Sequence, residues 1–250
     1  MGAVNLMMRM KRELTLAQLT FFPRLFPVNC YLIEEEDGLT LIDAALSVSL
    51  KGILQAARLI GKPIVRIALT HAHGDHVGAL DGLKRQLPDA PVLISVRDAR
   101  LMRADSSLDP GEPQRPIRGG LPKKLQTRPD VLLKDGDRIG SLTAVSVPGH
   151  TPGSMAFYDE RTGILIAGDA MQTRGGIAVS GQMVPWFPFP AMATWDKQTA
   201  LDSARKLREL QPSMLAVGHG DLLPNPLQAI DRAIAQAELR LNGKPTQRSV

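Results

Sequence analysis

A chain of 250 residues with 44% hydrophobic content can bury a sizeable core, and no apolar run in it reaches membrane-spanning length. The single cysteine, Cys30, excludes a disulfide framework and reads as a reduced core residue; with no clean export signal at the N-terminus, the expected location is the cytoplasm. The formal charge of +5 is spread along the chain with only 4% aromatic residues to interleave with it, so the expected partner is a small molecule, not nucleic acid or a membrane.

At the N-terminus, Gly2 is followed by Leu6 where a myristoylation signal has Ser or Thr, so no lipid anchor is expected. Residues 14–20 alternate loosely, and Phe21-Phe22-Pro23-Arg24-Leu25-Phe26-Pro27 makes an aromatic loop whose prolines forbid regular pairing. Two strands follow at 30–34 and 39–42, joined by a turn at Glu36-Asp37-Gly38. The second ends in Asp43, which can orient a ligand histidine or cap a helix. Leu50, Ile53, Leu54 and Ala57 have helical spacing, stopped by Gly61-Lys62-Pro63.

A buried strand at 64–69 then delivers His71-Ala72-His73-Gly74-Asp75-His76. Residues two apart on an extended chain project to one side, so His71 and His73 can aim at one cation. Gly74 allows a tight turn, after which Asp75 and His76 can face a neighbouring one. The chain has only five histidines, and three crowd this loop while His150 and His219 each sit in a glycine-bracketed loop after an apolar run. That concentration points to a metal centre.

Beyond it, Leu80, Leu83 and Leu87 mark a helix and 91–95 a strand. Residues 104–128 lose all periodicity among prolines and glycines and are expected to form a lid, with Arg115, Arg118, Lys123, Lys124 and Arg128 favouring an anionic substrate. Strands are expected at 131–133, 142–147, 155–158 and 164–167, the last ending in Gly168-Asp169. The stretch 171–194 again lacks period. Its Trp186 and Phe189, like Phe22 and Phe26 earlier, can wall a substrate pocket or cover the edge of the core, and Arg174 can meet an anion or solvent. A helix through Leu201, Ala204, Leu207 and Leu210, a strand at 214–217, His219 and a last helix from Leu227 to Leu241 complete the chain, with a frayed tail from Asn242.

In this order, His71-x-His73-x-Asp75-His76, His150, Asp169 and His219 resemble the ligand set of the metallo-β-lactamase-fold hydrolases, over residues 16–241. The resemblance implies one α/β domain over residues 1–250, a four-layer αβ/βα sandwich with its site at one edge between two sheets. It implies two divalent ions, zinc first with iron or manganese as alternatives: His71, His73 and His150 on one, Asp75, His76 and His219 on the other, Asp169 bridging. Catalytic roles fall to Asp75 and Asp169, and a metal-bridging hydroxide attacks a small ester, lactone or phosphotriester. A homodimer is compatible with this reading. Departures narrow the choice. Quorum-quenching lactonases of the fold commonly have a tyrosine three residues after the bridging Asp, where Gln172 stands as the expected substrate contact. Exported β-lactamases lack the bridging Asp, and glyoxalase II enzymes have a longer C-terminal extension. The segment Gly168 to Trp195 resembles a group of small uncharacterised bacterial hydrolases of this fold. The alternatives are a thioester hydrolase of the glyoxalase II type and an iron-dependent oxidoreductase like the persulfide dioxygenases.

Overall fold

The computed structural model describes residues 8–243, so the readings of Gly2 and Leu6 and of the tail beyond Gly243 lie outside it. A seven-stranded sheet runs β1 (Met8–Glu13), β2 (Leu16–Phe21), β3 (Val28–Glu34), β4 (Leu39–Ile42), β5 (Ile64–Ala68), β6 (Val92–Ser95) and β7 (Val131–Leu133), in that spatial order. Neighbours are antiparallel from β1 to β4 and parallel from β4 to β7. The sequence reading did not foresee β1, because its charged Arg9, Lys11, Arg12 and Glu13 hide the alternation; such charges suit an edge strand, which they protect from further pairing.

The second sheet contains β8 (Arg138–Ile139), β9 (Leu142–Ser146), β10 (Met155–Asp159) and β11 (Ile164–Ile166). A separate two-stranded ribbon of β12 (Met171–Gln172) and β13 (Ala178–Val179) precedes β14 (Met214–Ala216) and β15 (Leu223–Pro224), which extend that sheet in the order β15-β14-β11-β10-β9-β8. The helices are α1 (Leu50–Ile60), α2 (Gly74–Val77), α3 (Leu80–Gln86), α4 (Asp98–Leu101), α5 (Phe189–Ala193), α6 (Lys197–Glu209) and α7 (Leu227–Leu241). Among the described residues none is long and apolar enough to cross a membrane.

The two-residue period of the strands builds the layers. In β3, Cys30 and Leu32 pack with Ile53, Ala56, Leu80 and Leu83 of α1 and α3, whereas Tyr31 and Ile33 pack with Phe157, Ile164 and Ile166 across the gap to the second sheet. In β11, Leu165 turns the other way, toward Ala204, Leu207, Ile230 and Ala237 of α6 and α7. Three apolar layers thus alternate with helices and sheets in the sequence αβ/βα, the four-layer sandwich that was expected. Each fully buried Leu or Ile contributes about 1.5–3 kcal/mol through removal from water.

Residues 104–128, expected as a lid, form no helix or strand. They are irregular but pinned: Arg97 makes a two-pronged pair with Glu112, at 2.6 and 2.9 Å, and Asp81 accepts from the backbone of Thr127 at 2.7 Å. The segment reaches the ligand loops, where the Arg118 carbonyl meets His73.

Candidate metal centre

The chain leaves β5 into His71 and His73, turns through α2 with Asp75 and His76, and returns after β9, β11 and β14 with His150, Asp169 and His219. These seven side chains, drawn from positions 71 to 219, meet at one edge of the two-sheet fold. His71, His73 and His150 offer ligand atoms within 4.8 Å of one another, as do Asp75, His76 and His219, and as do His71, His76 and Asp169. Six of the seven are 5% exposed or less; Asp75 is the half-buried exception.

One nitrogen of every ring is taken up by the protein. His73 Nε2 faces Arg118 O at 2.9 Å, and His219 Nδ1 faces Pro27 O at 2.7 Å; both carbonyls accept only, so both nitrogens carry the proton. His76 Nδ1 donates to Asp43 Oδ2 at 2.8 Å. His71 Nδ1 lies 3.0 Å from Thr70 Oγ1, which donates to the same Asp43 oxygen at 2.8 Å. His150 Nδ1 meets Ser180 Oγ at 3.0 Å, Ser180 meets Thr194 Oγ1 at 2.8 Å, and Thr194 donates to Pro190 O at 2.7 Å. The terminal acceptor sets the direction of each chain, so in the neutral form of all five rings the second nitrogen is the one with the lone pair.

Those second nitrogens converge. His73 Nδ1 and His150 Nε2 lie 3.0 Å apart. Two imidazole lone pairs at that distance repel unless a cation, or an extra proton, lies against both. His71 Nε2, His76 Nε2 and Asp169 Oδ1 are buried without a hydrogen-bond partner in the protein. Asp169 Oδ1 is 3.4 Å from His76 Nε2, and its Oδ2 is 3.4 Å from His150 Nε2 and 3.2 Å from His219 Nε2. One carboxylate therefore touches both groups of rings. Orphaned nitrogens and carboxylate oxygens of this kind fit two divalent cations, with nitrogen and oxygen donors that suit zinc, iron or manganese.

The electrostatics divide the cluster. Burial pushes His71 and His73 below the ordinary imidazole value, and takes His150 down to about 3. Burial opposes protonation of His76 and His219 too, but Asp169 with Asp43 and Asp75 outweighs it at His76, and Asp169 with Asp75 at His219, so both are raised. Burial would raise Asp169; the His219 and His76 rings instead hold it well below the carboxylate range.

Asp43 thus orients His71 and His76 and caps no helix. Its backbone, at φ 62°, is in the left-handed region, a strain that persists where surrounding bonds fix it. Sequence reasoning missed Asp98. Fully buried at the start of α4, it accepts from Ala72 N at 2.9 Å, Thr151 Oγ1 at 2.8 Å and Gly153 N at 2.9 Å, so it joins the His71–His73 turn to the His150 turn. Burial raises its pKa to about 6. Only its position after a strand gave any signal.

A cavity of about 370 Å³ opens over the centre, walled by Phe26, Phe189, Pro190, Met192 and Ala193 and by Gly119 and Gly120 of the irregular segment 104–128. Phe26 packs against Phe189 at 5.0 Å and against the His219 ring at 5.3 Å between centroids. The other expected contacts lie elsewhere. Phe22 packs on the core beneath the first sheet, and Trp186, at 89% exposure, points into solvent because its neighbour Phe187 takes the buried place. Gln172 is buried and donates to Arg174 O and Phe187 O, holding the loop. Arg174 is tied to Arg24 O at 3.0 Å, beside a separate polar depression. Gly119 and Gly120 were missed as lining; their adjacency in 104–128 was the available signal.

The uncharacterized protein YobT of Bacillus subtilis (strain 168) is similar to this chain at 58% identity over 231 residues, 92% of this chain and 99% of YobT. An acyl-coenzyme A thioesterase, MBLAC2 of Gallus gallus, is 29% identical over 203 residues, 73% of this chain and 67% of that protein. Among solved structures, TTHA1623 in a di-iron-bound form aligns with a TM-score of 0.62 and 29% identity, covering 85% of this chain and 96% of that one. The sequence profile of the metallo-beta-lactamase superfamily matches residues 23–219, a span that begins before the first sheet is complete and closes on His219. This chain belongs to the metallo-beta-lactamase superfamily.

Proposed function

We propose that the chain is a dinuclear metal-dependent hydrolase acting on small ester-type substrates. The observation that carries the reading is the shared orientation of the five rings: each is tethered through one nitrogen and presents the other to the space around Asp169. When bound, divalent cations supply an ionised water near neutral pH and polarise the acyl or phosphoryl oxygen. The protein's part is to hold that geometry. Asp169 lies against both sets, Oδ1 beside His76 and Oδ2 between His150 and His219, and the half-buried Asp75 stands beside His219 at 3.5 Å. Phe26 and Phe189 exclude water and seat the apolar part of the substrate. Similarity to an acyl-coenzyme A thioesterase favours thioesters as a second substrate class, and similarity to a di-iron protein favours iron beside zinc. The test is metal analysis with absorbance spectroscopy on purified protein, and a hydrolysis screen of esters, lactones, thioesters and phosphotriesters before and after chelation. A sample that never holds more than one transition metal per chain, or a screen unaffected by chelation, rejects the proposal.

Two expectations follow from the geometry. Ligands bind metal only when deprotonated, and the raised His76 and His219 keep their protons to higher pH than the lowered His71, His73 and His150. As pH falls from 8 to 6, the Asp75–His76–His219 set should therefore release its ion first, which calorimetric zinc titrations at both values will show. Uniform weakening of both sets contradicts this. Separately, Phe26→Ala and Phe189→Ala should alter relative rates across the screen by about tenfold, the effect of one to a few methylenes in an apolar pocket, while the metal content stays at the parent value. Unchanged relative rates in both variants dismiss the aromatic wall as a selector.

A further inference from the structure

The inner face of the first sheet changes character as it nears the centre. Leu16, Tyr31 and Ile33 belong to the apolar layer between the sheets, yet Gln18, Thr20 and Asn29 on the same faces of β2 and β3 are polar and at most 1% exposed. Thr20 pairs with Asn29 and Gln18 with Tyr31 across the two strands, so the four side chains form one patch. Buried amides are costly in such a layer unless their hydrogen-bonding groups are used.

The patch uses them on one target. Asn29 Nδ2 donates to Val217 O at 2.8 Å and Gly220 O at 2.7 Å, and its backbone N–H donates to Gly218 O at 2.9 Å. Gln18 Nε2 donates to Gly220 O at 3.0 Å, and the Tyr31 hydroxyl to Val217 O at 2.6 Å. Both amide oxygens, Gln18 Oε1 and Asn29 Oδ1, are left without a partner, so these side chains are retained for their donors. Apart from a 3.5 Å contact of Gln18 Nε2 with the Tyr31 hydroxyl, the bonds of Gln18, Asn29 and Tyr31 fall on carbonyls that bracket His219, while Thr20 Oγ1 has no partner.

The loop needs such a grip because of its composition. Gly218 must be glycine to clear Asp169, and Gly220, at φ 120°, must be glycine to clear Thr173 and Arg174. Glycine on both sides leaves the His219 backbone with more freedom than any other residue would. We infer that Asn29, assisted by Gln18 and Tyr31, is a positioning clamp that fixes the His219 loop and thereby sets cation affinity at Asp75–His76–His219, separately from His71–His73–His150. The inference rests on the two-ion reading above.

The test uses full-length metal-free protein titrated with cobalt(II), followed by absorbance and calorimetry, for the parent and for Asn29→Ala, Asn29→Asp and Tyr31→Phe. Asn29 variants should lose roughly 10–100-fold in affinity at the His219 set, the usual effect of removing a group that orients a ligand, with the other set within about twofold. Tyr31→Phe, which removes one donor only, should lose a few-fold at the same set. Hydrogen exchange in the metal-free state supplies a second readout: the Gly218 amide, which donates to Gly168 O at 2.9 Å, should exchange faster in Asn29→Ala than in the parent. Equal losses at both sets, or unchanged affinity in every variant, overturn the clamp. If the parent takes up one ion only, the two-ion reading fails and the clamp stands or falls on Gly218 exchange. Should the Asn29 variants not fold, Tyr31→Phe decides, and an unaltered affinity in that variant overturns the inference.

Discussion

Asp169→Ala is expected to empty both halves of the centre at once, with a loss of turnover beyond the roughly 10–100-fold that removal of a supporting residue costs. The reason is positional. Its two oxygens reach His76 on one side and His150 and His219 on the other, and no other carboxylate in the cluster spans both sets. Removing it also strips His76 and His219 of the charge that offsets their burial. His71→Ala should by contrast empty mainly the set it shares with His73 and His150. Plasma mass spectrometry and turnover on the best substrate from the screen provide the comparison; two retained metals and near-parental rates in Asp169→Ala would show that the carboxylate is not shared.

Gly218→Ala should damage the centre almost as severely, although glycine carries no chemistry. A methyl group there would lie 1.9 Å from Asp169 Oδ1 and 2.7 Å from His76 Cε1, far inside van der Waals contact. Neither neighbour can yield cheaply: Asp169 sits in a buried turn after β11, and His76 is tied through Nδ1 to Asp43. Displacing a ligand by even about 1 Å costs on the order of a hundredfold in rate. The expected variant folds, binds metal poorly and turns over substrate at least about a hundredfold more slowly, as metal analysis and kinetics on the purified protein will measure. Parental metal content together with parental rate would mean that the loop relaxes away from Asp169.

How far the sequence discloses this centre depends on the kind of contact. The ligands were legible because the chain has only five histidines and all lie in glycine-bearing loops at strand ends, with Asp75 and Asp169 placed by the family resemblance. Asp43 was half legible: its place at the end of β4 was clear, but the choice between orienting a histidine and capping a helix needed the 2.8 Å contact to His76. Asp98, Ser180, Thr194 and Asn29 were not legible, since each acts on residues distant in sequence, Asp98 and Asn29 between the two sheets and Ser180 and Thr194 on His150 within the second half. Arg118 was noted for its charge, whereas its backbone carbonyl is what holds His73. The layers followed from period-two alternation, and β1 escaped because an edge strand carries its charges on the pattern that would betray it. Trp186 shows a further limit: composition located the aromatic loop, yet only packing decides that Phe187 turns inward and Trp186 outward.

Each cation set draws on both sheets: His71 and His73 follow β5 of the first while His150 follows β9 of the second, and Asp75 and His76 are joined by His219 beyond β14. A bound ion is therefore a cross-link between the two halves of the chain, closed without a covalent bond and opened by scarcity. Free ion at a hundredfold excess over its dissociation constant adds about 2.7 kcal/mol per site to the folded state, a sizeable share of the roughly 5–15 kcal/mol that holds a typical domain together. Lifetime and activity are thus tied to the same supply. On the two-ion reading, a chain that loses its ions should also part its halves more readily, which limited proteolysis with and without a chelator will measure.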